Sequence, residues 1–195
     1  DRVVQAGPEH RYFKATCKWL YYLSRKLSGD PGLLEKIAKF KTDDCPVEFR
    51  PEMAYLLGQY HYKKGSMPQA LEALAKVTPE SRYYPKAKYL QGIAYVRQEE
   101  PKPAVEAFKD LLRSTAESNN PSEDLKYFNQ LAVLSMARVF YSTGQFRQAV
   151  KYYDQIPLDS VLWLDGLFEA SWSFFRLNNH EKALSSLDNI PNKDV

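Results

Sequence analysis

Residues 57–74 read Leu57-Gly58-Gln59-Tyr60-His61-Tyr62-Lys63-Lys64-Gly65-Ser66-Met67-Pro68-Gln69-Ala70-Leu71-Glu72-Ala73-Leu74. The stretch carries a small residue, a ring three later, a glycine break, then alanine with an apolar residue four later. The same order returns as Gly92, Tyr95, Ala104, Phe108, then as Ala137, Phe140, Gly144, Ala149, Tyr153, and again as Ser171, Phe174, Asn178, Ala183, Leu187. Ala70 to Ala104 is 34 residues, Ala149 to Ala183 is 34 again, and Ala104 to Ala149 is 45. The excess of the middle interval falls on the polar stretch 114–124, an insertion that leaves the repeat intact on both sides. A fixed period of this length marks a repeat protein.

The apolar residues of 52–63, 69–77, 84–97 and 103–112 recur at helical spacing. Small residues at 58, 92, 137 and 171 let one helix approach its partner closely, and the alanines at 70, 104, 149 and 183 do the same from the other side. Gly65, Gly144 and Asn178 suit left-handed turns, while Pro51, Pro79, Pro85, Pro101, Pro121, Pro157 and Pro191 bound helices. Asp159 or Ser160 is placed to cap a helix entering at Val161. No strand-like alternation occurs. The chain reads as all-α.

This pattern resembles the tetratricopeptide repeat (TPR), a helix-turn-helix unit. Leu57-Gly58, Gly92-Tyr95, Ala104-Phe108 and the closing Pro79, Pro157 and Pro191 carry the resemblance; His61, Ala137, Ser171 and Glu99-Glu100-Pro101 depart from it. It spans about 51–191 and implies an α-solenoid of stacked antiparallel helix pairs in a right-handed superhelix. The repeats fall at about 51–84, 85–118, 121–159 and 160–195, with the insertion near 114–124.

Residues 1–50 do not repeat cleanly. Glu9 to Leu27 reads as one helix, Ser28-Gly29-Asp30-Pro31-Gly32 breaks it, and a second helix covers about 31–41 with Leu33, Leu34, Ile37, Ala38 and Phe40. This pair is expected to be a degenerate repeat or cap, joined to the first clear repeat by Thr42-Asp43-Asp44-Cys45-Pro46. At the far end no polar capping helix follows Ile190-Pro191-Asn192, so the natural chain is expected to continue past Val195. An uncovered last helix also implies self-association through the terminal repeat. Within the family, the aromatic-rich repeats and closing Ile-Pro resemble bacterial envelope proteins. With an opening at Asp1 that has neither Met nor leader, this favours a periplasmic or exported setting over a cytoplasmic one.

Composition narrows the chemistry. The 195 residues carry 27 Lys and Arg against 24 Asp and Glu, a net charge of +3 that by itself argues for neither nucleic acid nor an anionic membrane. Eight glycines are a poor supply for phosphate-cradling loops, and no apolar run approaches the ~20 residues of a spanning helix. His10, His61 and His180 lie far apart, and none pairs with Cys at ligand spacing, so no metal or other cofactor is expected. His61 fills the ring position of its repeat. Asp43-Asp44, Glu99-Glu100 and Glu123-Asp124 fall at loops or helix ends, where solvated or capping roles outweigh acid–base work. Cys17 and Cys45 are either one bridge or two buried thiols. Nothing here reads as an enzyme.

The surface remains. The resemblance implies that groove-facing positions are Glu52, Tyr55, Gln59, Tyr62 and Lys63; Lys86, Tyr89, Ile93, Val96 and Arg97; Leu131, Leu134, Arg138, Tyr141 and Ser142; and Asp165, Phe168, Trp172, Phe175 and Arg176. Tyr55, Gln59, Tyr62, Lys63, Tyr89, Arg97, Arg138, Tyr141, Trp172 and Arg176 form the expected binding set, rich in the residue types of hot spots. Lys63, Arg97 and Arg176 share one repeat position and suit a peptide with apolar anchors and a carboxylate. Phe168 and Phe175 read equally as groove or inter-repeat core. The expected function is a non-catalytic scaffold for a protein or peptide partner, without nucleic acid. The alternatives are a single-stranded RNA binder that stacks bases on the same rings, opposed by Glu52 and Asp165, and a carbohydrate-binding envelope module.

Overall fold

The computed structural model describes residues 2–27, 31–39, 42–116 and 121–188. Among these residues the regular elements are all helical: α1 (Arg2–Ala6), α2 (Phe13–Lys26), α3 (Pro31–Ile37), α4 (Arg50–Lys63), α5 (Met67–Ala75), α6 (Tyr84–Arg97), α7 (Pro101–Ala116), α8 (Glu123–Ser142), α9 (Phe146–Tyr153), α10 (Trp163–Arg176) and α11 (His180–Asp188). Short 3-10 turns at Thr42–Asp44 and Val47–Phe49 precede α4. The chain divides into two compact units, residues 1–98 and 99–195, with the border in the turn between α6 and α7.

In the first unit, α4 packs on α5 and α5 on α6. A Cβ at Gly58 would stand 2.5 Å from Leu74 Cγ and Cδ2, so the α4–α5 crossing requires glycine there. Ala54, Leu74, Val77 and Ala87 form the core between these helices. A second core joins the non-repeating segment to α4 through Phe13, Cys17, Leu20, Ile37, Cys45, Met53 and Leu56. Sequential packing continues in the second unit, α7 on α8, α8 on α9, α9 on α10 and α10 on α11. Its core gathers Leu134, Ala137, Ala149, Tyr153, Ile156 and Ala170. The four repeat alanines, Ala70, Ala104, Ala149 and Ala183, are all buried.

The turns keep the period to the residue. Gly65, Glu99, Gly144 and Asn178 all take left-handed backbone, at φ 79°, 60°, 75° and 57°. Glu99 thus occupies the glycine place although its side chain gives no hint of it.

Several expected boundaries move. The helix placed at 9–27 starts only at Phe13, because Gly7 turns left-handed at φ 81° and Pro8 follows it; α1 precedes that break. The helix placed at 31–41 ends at Ile37. The linker at 42–46 opens with a tight 3-10 turn at Thr42–Asp44, with Thr42 and Cys45 buried. Ser160 accepts from Leu162 N at 3.1 Å, but α10 starts at Trp163, so this is a turn ahead of the helix rather than its cap. The edges of the insertion, 114–116 and 123–124, are helical. α4, α6 and α10 each begin eight residues before their small residue, whereas α8 begins fourteen before Ala137. α7 likewise runs on to Ala116, its extension held by buried Leu111 and Thr115. Thr115 Oγ1 lies 2.9 Å from Asn129 Oδ1, tying the two extensions together. Ser122 caps α8 by accepting from Leu125 N, with Glu123 and Asp124 in the favourable first turn. The insertion residues 117–120, the cap at Asp30, the side chains of Leu33 and Leu34, Phe40, the closing Pro191 and the end at Val195 lie outside the described residues.

Candidate partner-binding site

In the first unit the expected site residues sit on α4 and α6. Tyr55 is half-buried; its ring stacks on Tyr83 with centroids 5.7 Å apart, and its hydroxyl accepts from Gln59 Nε2 at 2.9 Å. Burial pushes the Tyr55 phenol up to about 12. Tyr62 lies under the Arg97 guanidinium, 4.2 Å from carbon to ring centroid, which flattens a cation against an aromatic face. Lys63 is exposed and Tyr89 half-buried. The four residues Tyr55, Gln59, Tyr62 and Arg97 therefore form two contact pairs.

Glu52 departs from its expected place. It is only 4% exposed, with Arg82 Nη2 3.9 Å from its carboxylate. Arg82 Nη2 donates to Tyr83 Oη at 2.6 Å and reaches Tyr21 Oη at 3.5 Å. Burial and the Glu52 carboxylate both hold the Tyr83 phenol above its ordinary range. Tyr21 belongs to α2, so the non-repeating segment contributes to the cover over a position that repeat geometry alone would leave open.

In the second unit, Arg138 makes a bidentate pair with Glu169, Nη2 to Oε1 at 2.6 Å and Nε to Oε2 at 2.8 Å. Tyr153 Oη donates to the same carboxylate at 3.1 Å. Burial and Glu169 raise the Tyr153 phenol. These residues line a cleft of about 370 Å³ with Tyr141 and Trp172. Tyr141 meets Phe146 edge-on at 5.3 Å, and the Arg176 guanidinium lies 4.6 Å above that same Phe146 ring. Leu134 is 1% exposed and belongs to the core, not to a groove.

α10 carries the most distinctive surface. Phe168, Trp172 and Phe175 are spaced to share one helix face, and each is about half exposed, at 47%, 49% and 51%. Their rings meet edge-on in series at 6.4 and 6.2 Å, and Phe175 continues to His180 at 5.4 Å. With Ser171, Ala183, Leu184 and Leu187 they line an almost wholly apolar cleft of about 500 Å³. Phe168 and Phe175, open between groove and inter-repeat core in the sequence, are half exposed in this unit. Trp172 and Arg176 were expected here; Glu169 and Leu184 were not in the expected set. The helical spacing of Leu184 and Leu187 was the available signal.

The fold is TPR-like. Similar chains include a MamA protein, with TM-score 0.68 and 16% identity over 91% of this chain and 89% of that one. A Podosopora anserina putative kinesin light chain with nearly identical TPR-like repeats gives TM-score 0.67 and 16% identity, covering 90% of this chain and 92% of that one. A second MamA structure gives 0.62 and 17%, covering 85% and 88%. No family model matches the chain, and no curated protein does. Among the described residues no helix is long and apolar enough to cross a membrane, and no group of three or more His, Cys, Asp or Glu could hold a metal ion.

Proposed function

We propose that this protein is a non-catalytic scaffold for protein–protein interaction, and that its partner presents apolar anchors, as an amphipathic helix or extended peptide, to the aromatic face of α10. The observation that carries this reading is the series Phe168, Trp172 and Phe175, half exposed on one helix face beside Leu184 and Leu187. Contiguous exposed apolar surface of this kind marks interaction sites, and Trp is among the commonest hot-spot residues. The TPR-like fold supports the reading because it presents such residues on rigid helices, so less ordering entropy is lost on binding. Arg176, held above Phe146, supplies a cation at the edge of the same unit for an acidic group on the partner. Tyr62 with Arg97 offers the same pairing in the first unit. By the same proposal the protein works in a periplasmic or exported bacterial setting, which fractionation of the source cells tests.

A displayed-peptide selection against the full chain tests the function. Enrichment of peptides with Leu, Phe or Trp at helical spacing is the expected result. If selected ligands bind Trp172→Ala as well as the wild type, or if single-stranded oligonucleotides or glycans bind this face in preference to peptides, the reading is wrong.

A further inference from the structure

We infer that Cys17 and Cys45 are a disulfide-forming pair, joining α2 to the turn ahead of α4. Their sulfurs stand 3.2 Å apart, roughly 1.2 Å more than the S–S bond of about 2.05 Å. Both residues are buried, at 0% and 1% exposure, inside the core of Phe13, Leu20, Ile37, Met53 and Leu56. The segment carrying Cys45 is fixed as well. Arg50 Nε donates to the Cys45 carbonyl and Arg50 Nη2 to the Asp43 carbonyl, each at 2.8 Å. The Cys45 amide also donates to Thr42 O at 3.2 Å. The fold thus brings together two sulfurs 28 residues apart and holds one of them by three backbone contacts.

The same burial dictates when the bond forms. Burial puts both sulfurs out of reach of an external disulfide in the folded chain, and the hydrogen bond between them holds the Cys45 thiol up while lowering that of Cys17. Exchange therefore belongs to folding, before the core closes. A disulfide donor, either glutathione disulfide or the active-site disulfide of a thiol–disulfide oxidoreductase, is attacked by the Cys17 thiolate, and one donor thiolate leaves. The Cys45 thiolate then attacks Cys17 Sγ, forming the internal bond and expelling the second donor thiolate. Two protons pass from the cysteines to the leaving sulfurs. The chain loses two electrons and the donor gains them. Once closed, the bond lies out of reach of external thiols and acts as a permanent staple of the non-repeating segment rather than a switch.

The test refolds the full reduced chain from guanidinium in a mixture of oxidised and reduced glutathione. Acid quenching, denaturation without reductant, iodoacetamide treatment and mass measurement follow. The expected product is two hydrogens lighter, carries no alkyl group, yields a peptide linking positions 17 and 45, and melts about 5–10 °C above the chain kept reduced. Both cysteines alkylated, or each capped by glutathione, in chains with native helical circular dichroism would overturn the proposal. The same alkylation of chain exported to a bacterial periplasm, never unfolded in vitro, decides the matter should refolding be poor: free thiols there overturn it, and the linked peptide sustains it.

Discussion

Arg138 on α8 and Glu169 on α10 face each other through a two-point grip, while Tyr153 on α9 donates to the same carboxylate at 3.1 Å. One acidic side chain thereby links three successive helices. Arg138 is half exposed and Glu169 is 26% exposed, so solvent screens the charge and the paired geometry supplies most of the effect. Glu169→Gln is expected to cost about 1 kcal/mol in urea denaturation, and a double-mutant cycle with Arg138→Ala to give a coupling of about 0.5–1 kcal/mol. Strict additivity of the two substitutions would show that the grip contributes nothing.

Glu99 sits at φ 60° where two sister turns use glycine and a third uses asparagine. A side chain in that region costs roughly 1–2 kcal/mol, partly offset by the extra unfolded-state freedom glycine brings. Glu99→Gly is therefore expected to stabilise by about 0.5–1 kcal/mol, and Gly65→Ala, at φ 79°, to destabilise by about 1 kcal/mol. Chemical denaturation of both variants checks the pair of signs.

Two glycines separate strain from slack. An added Cβ at Gly58 meets both Cγ and Cδ2 of buried Leu74 at 2.5 Å, whereas at Gly166 it meets the tip of Ile156, Cδ1, at 2.6 Å and nothing else closer than 3.7 Å. Gly58→Ala should cost about 1–3 kcal/mol through overpacking. Gly166→Ala should cost less, because only the flexible tip of Ile156 must turn aside there, while the helix-propensity gain of about 1 kcal/mol from alanine applies at both sites. Equal melting temperatures for the two variants would contradict this packing.

Alkaline stability follows from the buried phenols. Tyr55 is pushed up to about 12 by burial, and Tyr83 and Tyr153 are raised by burial with Glu52 and Glu169 beside them. An unfolded tyrosine ionises near 10, so above that pH the unfolded chain releases protons the folded chain keeps. Their stabilisation is complete below pH 10 and falls as pH rises toward 12, by at most about 1.4 kcal/mol per pH unit for each tyrosine. Tyr55→Phe should flatten the decline, as read by denaturation midpoints at pH 8 through 11.5.

The parts of this architecture that were legible in the sequence are those imposed by helix crossing. Alanine at 70, 104, 149 and 183 and small residues at 58 and 171 are dictated by close approach, so their period survives drift elsewhere. Left-handed geometry at Glu99 was hidden, because the turn is set by its neighbours and the residue type does not declare it. The long α7 and α8 were hidden too, since serine, asparagine and proline read as a loop while Leu111 and Thr115 continued a helical face. Glu52 is buried beside Arg82 in a pocket that Tyr21 of the non-repeating segment also lines, a tertiary fact no repeat pattern contains. The sulfur pair is likewise a product of packing across 28 residues.

The affinity of a selected peptide for the wild type against Trp172→Ala tests the scaffold proposal most directly, with Leu158→Ala as control. Leu158 is 79% exposed and lies outside the aromatic face, so its loss removes apolar surface without touching the proposed site. The account predicts that Trp172→Ala weakens binding by about thirtyfold, the ~2 kcal/mol of a hot-spot aromatic, while Leu158→Ala stays within twofold. Unchanged affinity for Trp172→Ala, in a variant with wild-type helical content and melting temperature, would contradict it.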